Sequence, residues 1–102
     1  MKNYQNAAAN LARQYGLAAP ILARYADLAS EVGELGKELL ITSNYGKKEP
    51  RTTNSTANEL GDVLFSLALL ANSLDLDLEA CFATAIEKYK DRFAKSGQIG
   101  SY

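Results

Sequence analysis

The sequence contains no histidine and no tryptophan, and it has only one cysteine and two prolines among 102 residues. Without histidine, the chain cannot form the usual zinc sites, a Ser-His-Asp triad or a histidine general base. The single cysteine, Cys81, cannot form a disulfide within the chain. This scarcity of cysteine fits a reducing compartment, and we expect a cytoplasmic location.

Strong charge and long apolar segments are missing as well. The net charge is −1, so no basic excess indicates a nucleic-acid partner. The first residues, "MKNYQNAAANLARQYG", lack the apolar run of a signal peptide, and "VLFSLALLA" is shorter than the roughly 20 residues that span a bilayer. We therefore expect one globular domain, residues 1–102, with a modest core and no membrane partner.

Helical periodicity predicts four helices and no strand. The two prolines, Pro20 and Pro50, lie where helices should begin or stop, and several N-cap residues cluster near Thr53. The expected fold is an all-α, four-helix bundle-like protomer with a frayed tail, "SGQIGSY". The predicted helices cover about Tyr4–Tyr15, the segment from Pro20 to Thr42, Thr53–Leu74 and Leu78–Lys95.

The second and third predicted helices differ in the placement of their apolar residues. In the second, an apolar stripe consists of Ile21, Tyr25, Leu28, Val32, Leu35 and Leu39. The acidic stripe beside it consists of Asp27, Glu31, Glu34 and Glu38. In the third, apolar residues cover nearly the whole circumference, which predicts burial on all sides. The exception is a narrow strip of Glu59, Asp62 and Ser66. Two carboxylates are therefore expected on the most buried helix.

Two pairs of carboxylates have helical spacing. Glu31 and Glu34 are three residues apart, as are Glu59 and Asp62, so each pair shares one side of its helix. The first pair alone is also typical of a solvated face, and the second could be neutralised by Lys37, Lys88, Arg92 or Lys95. If the two helices pack antiparallel, the four carboxylates would instead form a site for Mg²⁺ or Mn²⁺.

Glycines accompany both acidic pairs. Gly33 and Gly61 lie inside predicted helices, where glycine costs roughly 1 kcal/mol relative to alanine. One hypothesis is that they allow the two backbones to approach closely and bring the short carboxylates together. The alternative is that these positions tolerate glycine without a specific role.

The segments "EVGELGKELL" and "NELGDVLFSLALLANSLDLDLEACFATAIEKYKDRF" resemble the MazG-like, all-α nucleoside triphosphate pyrophosphohydrolase family. The family signature is E-x-x-E followed by a variable linker and E-x-x-D. The resemblance covers about residues 23–93. It implies a dimer or a dimer of dimers that hydrolyses a nucleoside triphosphate, with a deoxynucleotide as the expected substrate, to the monophosphate and pyrophosphate in nucleotide-pool house-cleaning. It also implies that Glu31, Glu34, Glu59 and Asp62 hold Mg²⁺, with Glu31 as a possible general base.

Cationic and aromatic residues are candidates for substrate contacts. Lys88 and Arg92 could bind phosphate, although Tyr89 stands where many family members have asparagine after the lysine. The second cationic set is Lys47, Lys48 and Arg51, and the aromatic candidates for base stacking are Tyr4, Tyr15 and Phe65. Two alternatives to this function are a phosphoribosyl-ATP pyrophosphohydrolase-like enzyme and a non-enzymatic helical interaction protein with salt-bridged acidic pairs. A di-iron carboxylate bundle normally needs Glu-x-x-His motifs, so the absence of histidine argues against it.

Overall fold

The computed structural model describes residues 2–96 as four α-helices connected by short segments. The helices are α1 (Lys2–Tyr15), α2 (Ile21–Thr42), α3 (Asn54–Ser73) and α4 (Leu78–Ser96). No strand occurs in this range, so the predicted all-α fold is confirmed. Residues 97–102, which include nearly all of the predicted frayed tail, lie outside the described range. No helix that the structure describes is long and apolar enough to cross a membrane.

Specific residues begin three of the helices where the sequence predicts. Pro20 precedes α2 with φ −63°, an angle that proline already favours. Thr53 is the N-cap of α3, and its side chain accepts a hydrogen bond from the backbone N–H of Thr56. Asp77 caps α4 because its Oδ1 accepts a 2.9 Å hydrogen bond from the N–H of Glu79. The side-chain caps of Thr53 and Asp77 satisfy donors that a helix start leaves without partners.

Helices α2 and α3 form the main antiparallel pair, and α1 packs on the other side of α3. The fully buried part of the interior is small. It contains Ala8, Ala68 and Leu69, with Ala12 and Phe65 packed against them. Helix α4 contacts chiefly α1. The small side chains at this centre let α1 and α3 approach closely, but they bury little apolar surface.

A buried amide connects α1 to the turn between α3 and α4. The Gln5 Nε2 donates hydrogen bonds to the Asn72 Oδ1 at 3.0 Å and to the Leu76 carbonyl at 2.8 Å. The Gln5 Oε1 accepts a 2.8 Å bond from the N–H of Leu78, and the Asn72 Nδ2 donates to the Gln5 carbonyl at 3.0 Å. We call this group of hydrogen bonds the Gln5 joint. It fixes the direction in which α4 leaves α3.

Much of the apolar surface remains exposed within one chain. Leu60 on α3 is 58% exposed and Phe82 on α4 is 63% exposed. The prediction that α3 is buried on all sides is therefore wrong for the single protomer, because α1 and α2 cover only two of its sides. The apolar stripe predicted for α2 is largely exposed too, with Tyr25 at 59% and Val32 at 51%. Apolar spacing alone does not tell whether an apolar face packs against another helix of the same chain or stays exposed in the single protomer.

Candidate functional site

Three of the predicted carboxylates come together between α2 and α3. Glu31 lies on α2, while Glu59 and Asp62 lie one turn apart on α3. Each offers a carboxylate oxygen that lies within 4.8 Å of the other two. Glu31 and Glu59 are half-buried and Asp62 is exposed, so the group opens to solvent on one side. This arrangement suits a hydrated cation that keeps water ligands.

The packing of α2 against α3 explains why Glu31 enters the site. Apart from Ala23, the side chains of α2 that are buried or half-buried recur every three or four residues, the spacing of one helix face. We call this row the α2 seam, and it consists of Arg24, Leu28, Glu31, Leu35, Glu38 and Thr42. Leucines therefore alternate with charged residues along the surface that meets α3. The predicted acidic stripe is partly inside the helix contact rather than beside it.

Like charges act on one another within this site. Partial burial, and then the neighbouring carboxylates, raise the pKa of Glu59 above its ordinary value. Asp62 is the largest of these charge effects, followed by Glu34, Glu31 and Glu38. A carboxylate whose pKa rises because other carboxylates face it gains stability from a proton or a cation. Glu59 is therefore a carboxylate whose charged form is disfavoured by its surroundings in the metal-free group.

Glu34 is exposed and does not belong to the group of three, although its charge acts on Glu59. Its role as a metal ligand stays a prediction. The hypothesis that glycines permit close helix contact is wrong for this chain. A Cβ added at Gly33 or Gly61 would meet no heavy atom within 4 Å outside its local backbone. The contact between α2 and α3 therefore does not depend on the missing side chains.

No lysine or arginine among residues 2–96 forms an ion pair with Glu31, Glu59 or Asp62. Lys95 is one of the cations that could have neutralised them, but its Nζ lies 3.1 Å from the Oδ2 of Asp91. Lys88 and Arg92 flank the ring of Tyr89, with the Lys88 Nζ 5.1 Å and the Arg92 Cζ 5.6 Å from its centroid. The described contacts thus give no support to salt-bridged acidic pairs.

The remaining predicted cations are not brought to the carboxylates by contacts within the chain. Lys47, Lys48 and Arg51 are exposed in the connection between α2 and α3. Lys88 and Arg92 lie on α4, which packs chiefly on α1. The predicted phosphate contacts would therefore have to form when substrate binds or when another copy of the chain contributes them.

Two of the aromatic candidates share a groove between α1 and α3. Tyr4 and Phe65 line it together with Gly61, and its volume is about 320 Å³. Its other lining residues are apolar and include Leu11 and Leu64. Tyr15 does not line this groove. The groove provides aromatic surface beside the helix that carries Glu59 and Asp62, and the hydroxyl of Tyr4 is the one polar side-chain group among its lining residues.

Arg24 was not predicted as a notable residue, yet it begins the α2 seam one heptad before Glu31. It is half-buried, and its guanidinium donates a hydrogen bond to the carbonyl of Leu17. Its Nε is buried without a hydrogen-bond partner, and Arg24 forms no ion pair with any described residue. The sequence feature that could have identified Arg24 is its heptad spacing from Glu31 and Glu38. This spacing places one cation and two anions on the same face of α2.

Comparisons with known proteins point to one family. Residues 21–95 match the family model described as the MazG nucleotide pyrophosphohydrolase domain. The chain is also similar to the "Uncharacterized protein YpjD" of Bacillus subtilis (strain 168), with 42% identity over 74 residues. This match covers 70% of the present chain and 65% of the relative. No solved structure matches the chain.

Proposed function

The chain belongs to the family of the MazG nucleotide pyrophosphohydrolase domain, and on that premise we propose that it hydrolyses nucleoside triphosphates with the help of Mg²⁺. The products would be a nucleoside monophosphate and pyrophosphate. The observation that carries the proposal is the group of Glu31, Glu59 and Asp62, whose oxygens lie within 4.8 Å of one another. All three residues lie inside the segment that the family model matches.

The donor set fits a hard divalent cation. Carboxylate oxygens without histidine or thiolate ligands favour Mg²⁺ or Mn²⁺. No described cation neutralises the three carboxylates, and partial burial together with repulsion by neighbouring carboxylates raises the pKa of Glu59. Glu34 would complete the ligand set from the exposed side of α2. When bound, Mg²⁺ would lower the pKa of a water ligand and offset charge on the phosphates.

The reaction would be attack of water on the α-phosphorus. The bond from the α-phosphorus to the oxygen shared with the β-phosphorus breaks, and pyrophosphate leaves with that oxygen. Glu31 would accept the proton of the water at a carboxylate oxygen, because its half-buried position in the α2 seam holds it beside the α3 acids. Lys88, Arg92, Lys47, Lys48 and Arg51 are the proposed phosphate contacts. Deoxynucleotides and a house-cleaning role are proposed from the family resemblance.

We also propose that the chain works as a homodimer or a dimer of dimers. Its accessible surface is 7585 Å², whereas a compact monomer of 11.1 kDa exposes about 5,700 Å². Two copies that bury this excess would hide on the order of 4,000 Å² in total, which is typical of obligate homodimers. The exposed apolar sides of α3 and α4 would form the contact, since Leu67 borders both.

The enzymatic proposal is tested by product analysis. The protein is incubated with each common ribo- and deoxyribonucleoside triphosphate and Mg²⁺, and products are separated by chromatography. We expect monophosphate and pyrophosphate from the parent, no turnover by Glu59→Gln, and full turnover by Glu49→Gln, which alters an exposed carboxylate in the connection. Diphosphate and orthophosphate would contradict the assigned bond cleavage. No turnover, with no rise in melting temperature on adding Mg²⁺, would favour a helical interaction protein.

The assembly proposal has a separate test. Sedimentation of the parent at micromolar concentration should show a dimer or a tetramer. Leu60→Lys places a charge on the exposed apolar side of α3, and we expect it to sediment as a smaller species while remaining helical. Leu22→Lys is the matched control, because Leu22 on α2 is even more exposed. A monomeric parent would overturn the proposed assembly.

A further inference from the structure

A chain of hydrogen bonds starts at the first turn of α3 and ends on α2. The Thr53 Oγ1 accepts from the N–H of Thr56 at 3.2 Å, and the Thr56 Oγ1 accepts from the N–H of Thr53 at 3.1 Å. The Thr53 Oγ1 also lies 3.3 Å from the Glu38 Oε1 and 3.2 Å from the Thr56 Oγ1. The cap of α3 is therefore joined to a carboxylate of the neighbouring helix.

The chemistry of the acceptor sets the direction of this chain. An ionised carboxylate can only accept, so the Thr53 hydroxyl must donate to Glu38. The Thr56 hydroxyl then donates to the Thr53 oxygen. Among the described side-chain hydrogen bonds, this is the one that joins α2 to α3 or its cap. Glu38 thus has a role that a solvated acid on a helix surface would lack.

The hydrogen bond between Thr53 and Glu38 lies where it can affect the arrangement of the carboxylate group. Glu38 follows Glu31 by one heptad in the α2 seam, and Thr53 precedes Glu59 by less than two turns. A slip of one turn between α2 and α3 would move their residues by about 5.4 Å. The oxygens of Glu31, Glu59 and Asp62 now lie within 4.8 Å of one another, so such a slip would separate them.

Apolar packing alone does not select this register strongly. Leu28 and Leu35 recur at helical spacing along the α2 seam, and α3 as a whole is rich in leucine. Residues 44–52 of the connection are exposed and can adapt to a shift, whereas its two ends, Ser43 and Thr53, are buried and half-buried. A directional hydrogen bond at the start of α3 can therefore select the register where apolar packing tolerates several.

We propose that Glu38 and Thr53 form a positioning clamp that holds the α3 acids opposite Glu31. The inference deepens the proposed function and rests on it for the identity of the cation. Glu38 is a positioning residue rather than a ligand, because its Oε1 already accepts a hydrogen bond from the Thr53 hydroxyl. It acts through Thr53 and the helix that Thr53 caps.

Two pairs of variants separate the hydrogen bond from charge. Glu38→Gln keeps an acceptor oxygen and removes the charge, whereas Glu38→Ala removes both. Thr53→Ser keeps the donor and the cap, whereas Thr53→Val removes them without changing charge. Glu49→Ala is the matched control for loss of an exposed carboxylate. High salt, about 0.5 M, screens long-range attraction of the cation to the remaining charges.

The first measurement is the dissociation constant for Mn²⁺ by calorimetry at this salt concentration. We expect Glu38→Ala and Thr53→Val to weaken binding roughly tenfold, the low end of what supporting residues around metal sites contribute. Glu38→Gln, Thr53→Ser and Glu49→Ala should stay within about threefold of the parent. If Glu38→Gln loses as much affinity as Glu38→Ala, Glu38 acts as a charge or a ligand, and the clamp is overturned.

The second measurement uses no metal. Cysteines replace Glu31 and Asp62 in a Cys81→Ser background, and the rate of disulfide formation in oxidised glutathione reports the register of α2 against α3. Adding Glu38→Ala should slow this cross-link several-fold, and adding Glu38→Gln should not. Unchanged cross-linking in both Glu38→Ala and Thr53→Val would overturn the clamp. A parent that fails to bind Mn²⁺ would overturn the proposed function, and the cross-linking rate would still decide the clamp.

Discussion

Replacing Gln5 with alanine should destabilise the protein more than any other single truncation on α1. The side chain donates to Asn72 and to the Leu76 carbonyl and accepts from the N–H of Leu78. Gln5 is 7% exposed, so water replaces these partners poorly after truncation. At about 1 kcal/mol for each hydrogen bond, the three bonds together contribute about 3 kcal/mol to the free energy of unfolding.

Urea unfolding followed by circular dichroism at 222 nm measures this loss. For a domain of this size, about 3 kcal/mol lowers the melting temperature by roughly 10–20 °C. Protein concentration must be the same for all variants, because self-association would make stability depend on it. Gln14→Ala provides the matched control, since Gln14 is an exposed glutamine on the same helix.

The control variant defines the result that would contradict the prediction for Gln5→Ala. Gln14→Ala should stay within about 0.5 kcal/mol of the parent, as is usual for exposed positions. If Gln5→Ala also falls within that range, the Gln5 joint does not fix the direction of α4. A double-mutant cycle with Asn72→Ala adds a second check. The two side chains share a hydrogen bond, so the double variant should lose less than the sum of the single variants.

Three further predictions concern the site and its surroundings. In metal-free protein, the pKa of Glu59 is higher in the folded state than its ordinary value of 4.5. The contribution of Glu59 to the free energy of unfolding is therefore fully present below pH 4.5, and it is lost as the pH rises through the folded-state pKa. Glu59→Gln should therefore flatten the pH dependence of unfolding over that window, and a parallel pH dependence in both proteins would contradict the shift. Gly33→Ala and Gly61→Ala should each stabilise the chain by about 0.5–1 kcal/mol in urea unfolding, because a Cβ meets open space at both positions. A loss of nucleotide turnover or of assembly in either variant would show that substrate or a second copy covers the glycine. Arg24→Met should change the free energy of unfolding by less than about 1 kcal/mol, since removal of an unpaired half-buried charge offsets the lost bond to Leu17. A loss above about 2 kcal/mol would indicate an anionic partner for Arg24.

The helices were predictable because the chain marks their ends with residues of definite local chemistry. Pro20, Thr53 and Asp77 each satisfy a requirement of a helix start, independently of what the helix packs against. The meeting of Glu31 with Glu59 and Asp62 was also predicted, as a consequence of antiparallel packing. These features depend on spacing along one helix or on one packing choice.

The orientation of α2 was not predictable by the same reasoning. Hydrophobic spacing indicates which residues prefer burial, but it does not say whether the same chain or another molecule covers them. Val32 is exposed, whereas Glu38 lies in the α2 seam and accepts a hydrogen bond from Thr53. Gln5 gave no periodic signal, and Asn72 inside an apolar helix was the available indication of a buried amide contact.

The Gln5 joint also bears on where the folding unit begins. The family match starts at residue 21, so α1 lies outside it, although all four acidic residues of the proposed site lie inside. A chain trimmed to the match would uncover Ala68 and Leu69 and leave the N–H of Leu78 without its partner. Truncation at that boundary would therefore remove structural support while keeping every proposed ligand. In this protein, the segment that similarity delimits is shorter than the segment that must be present for α4 to hold its place.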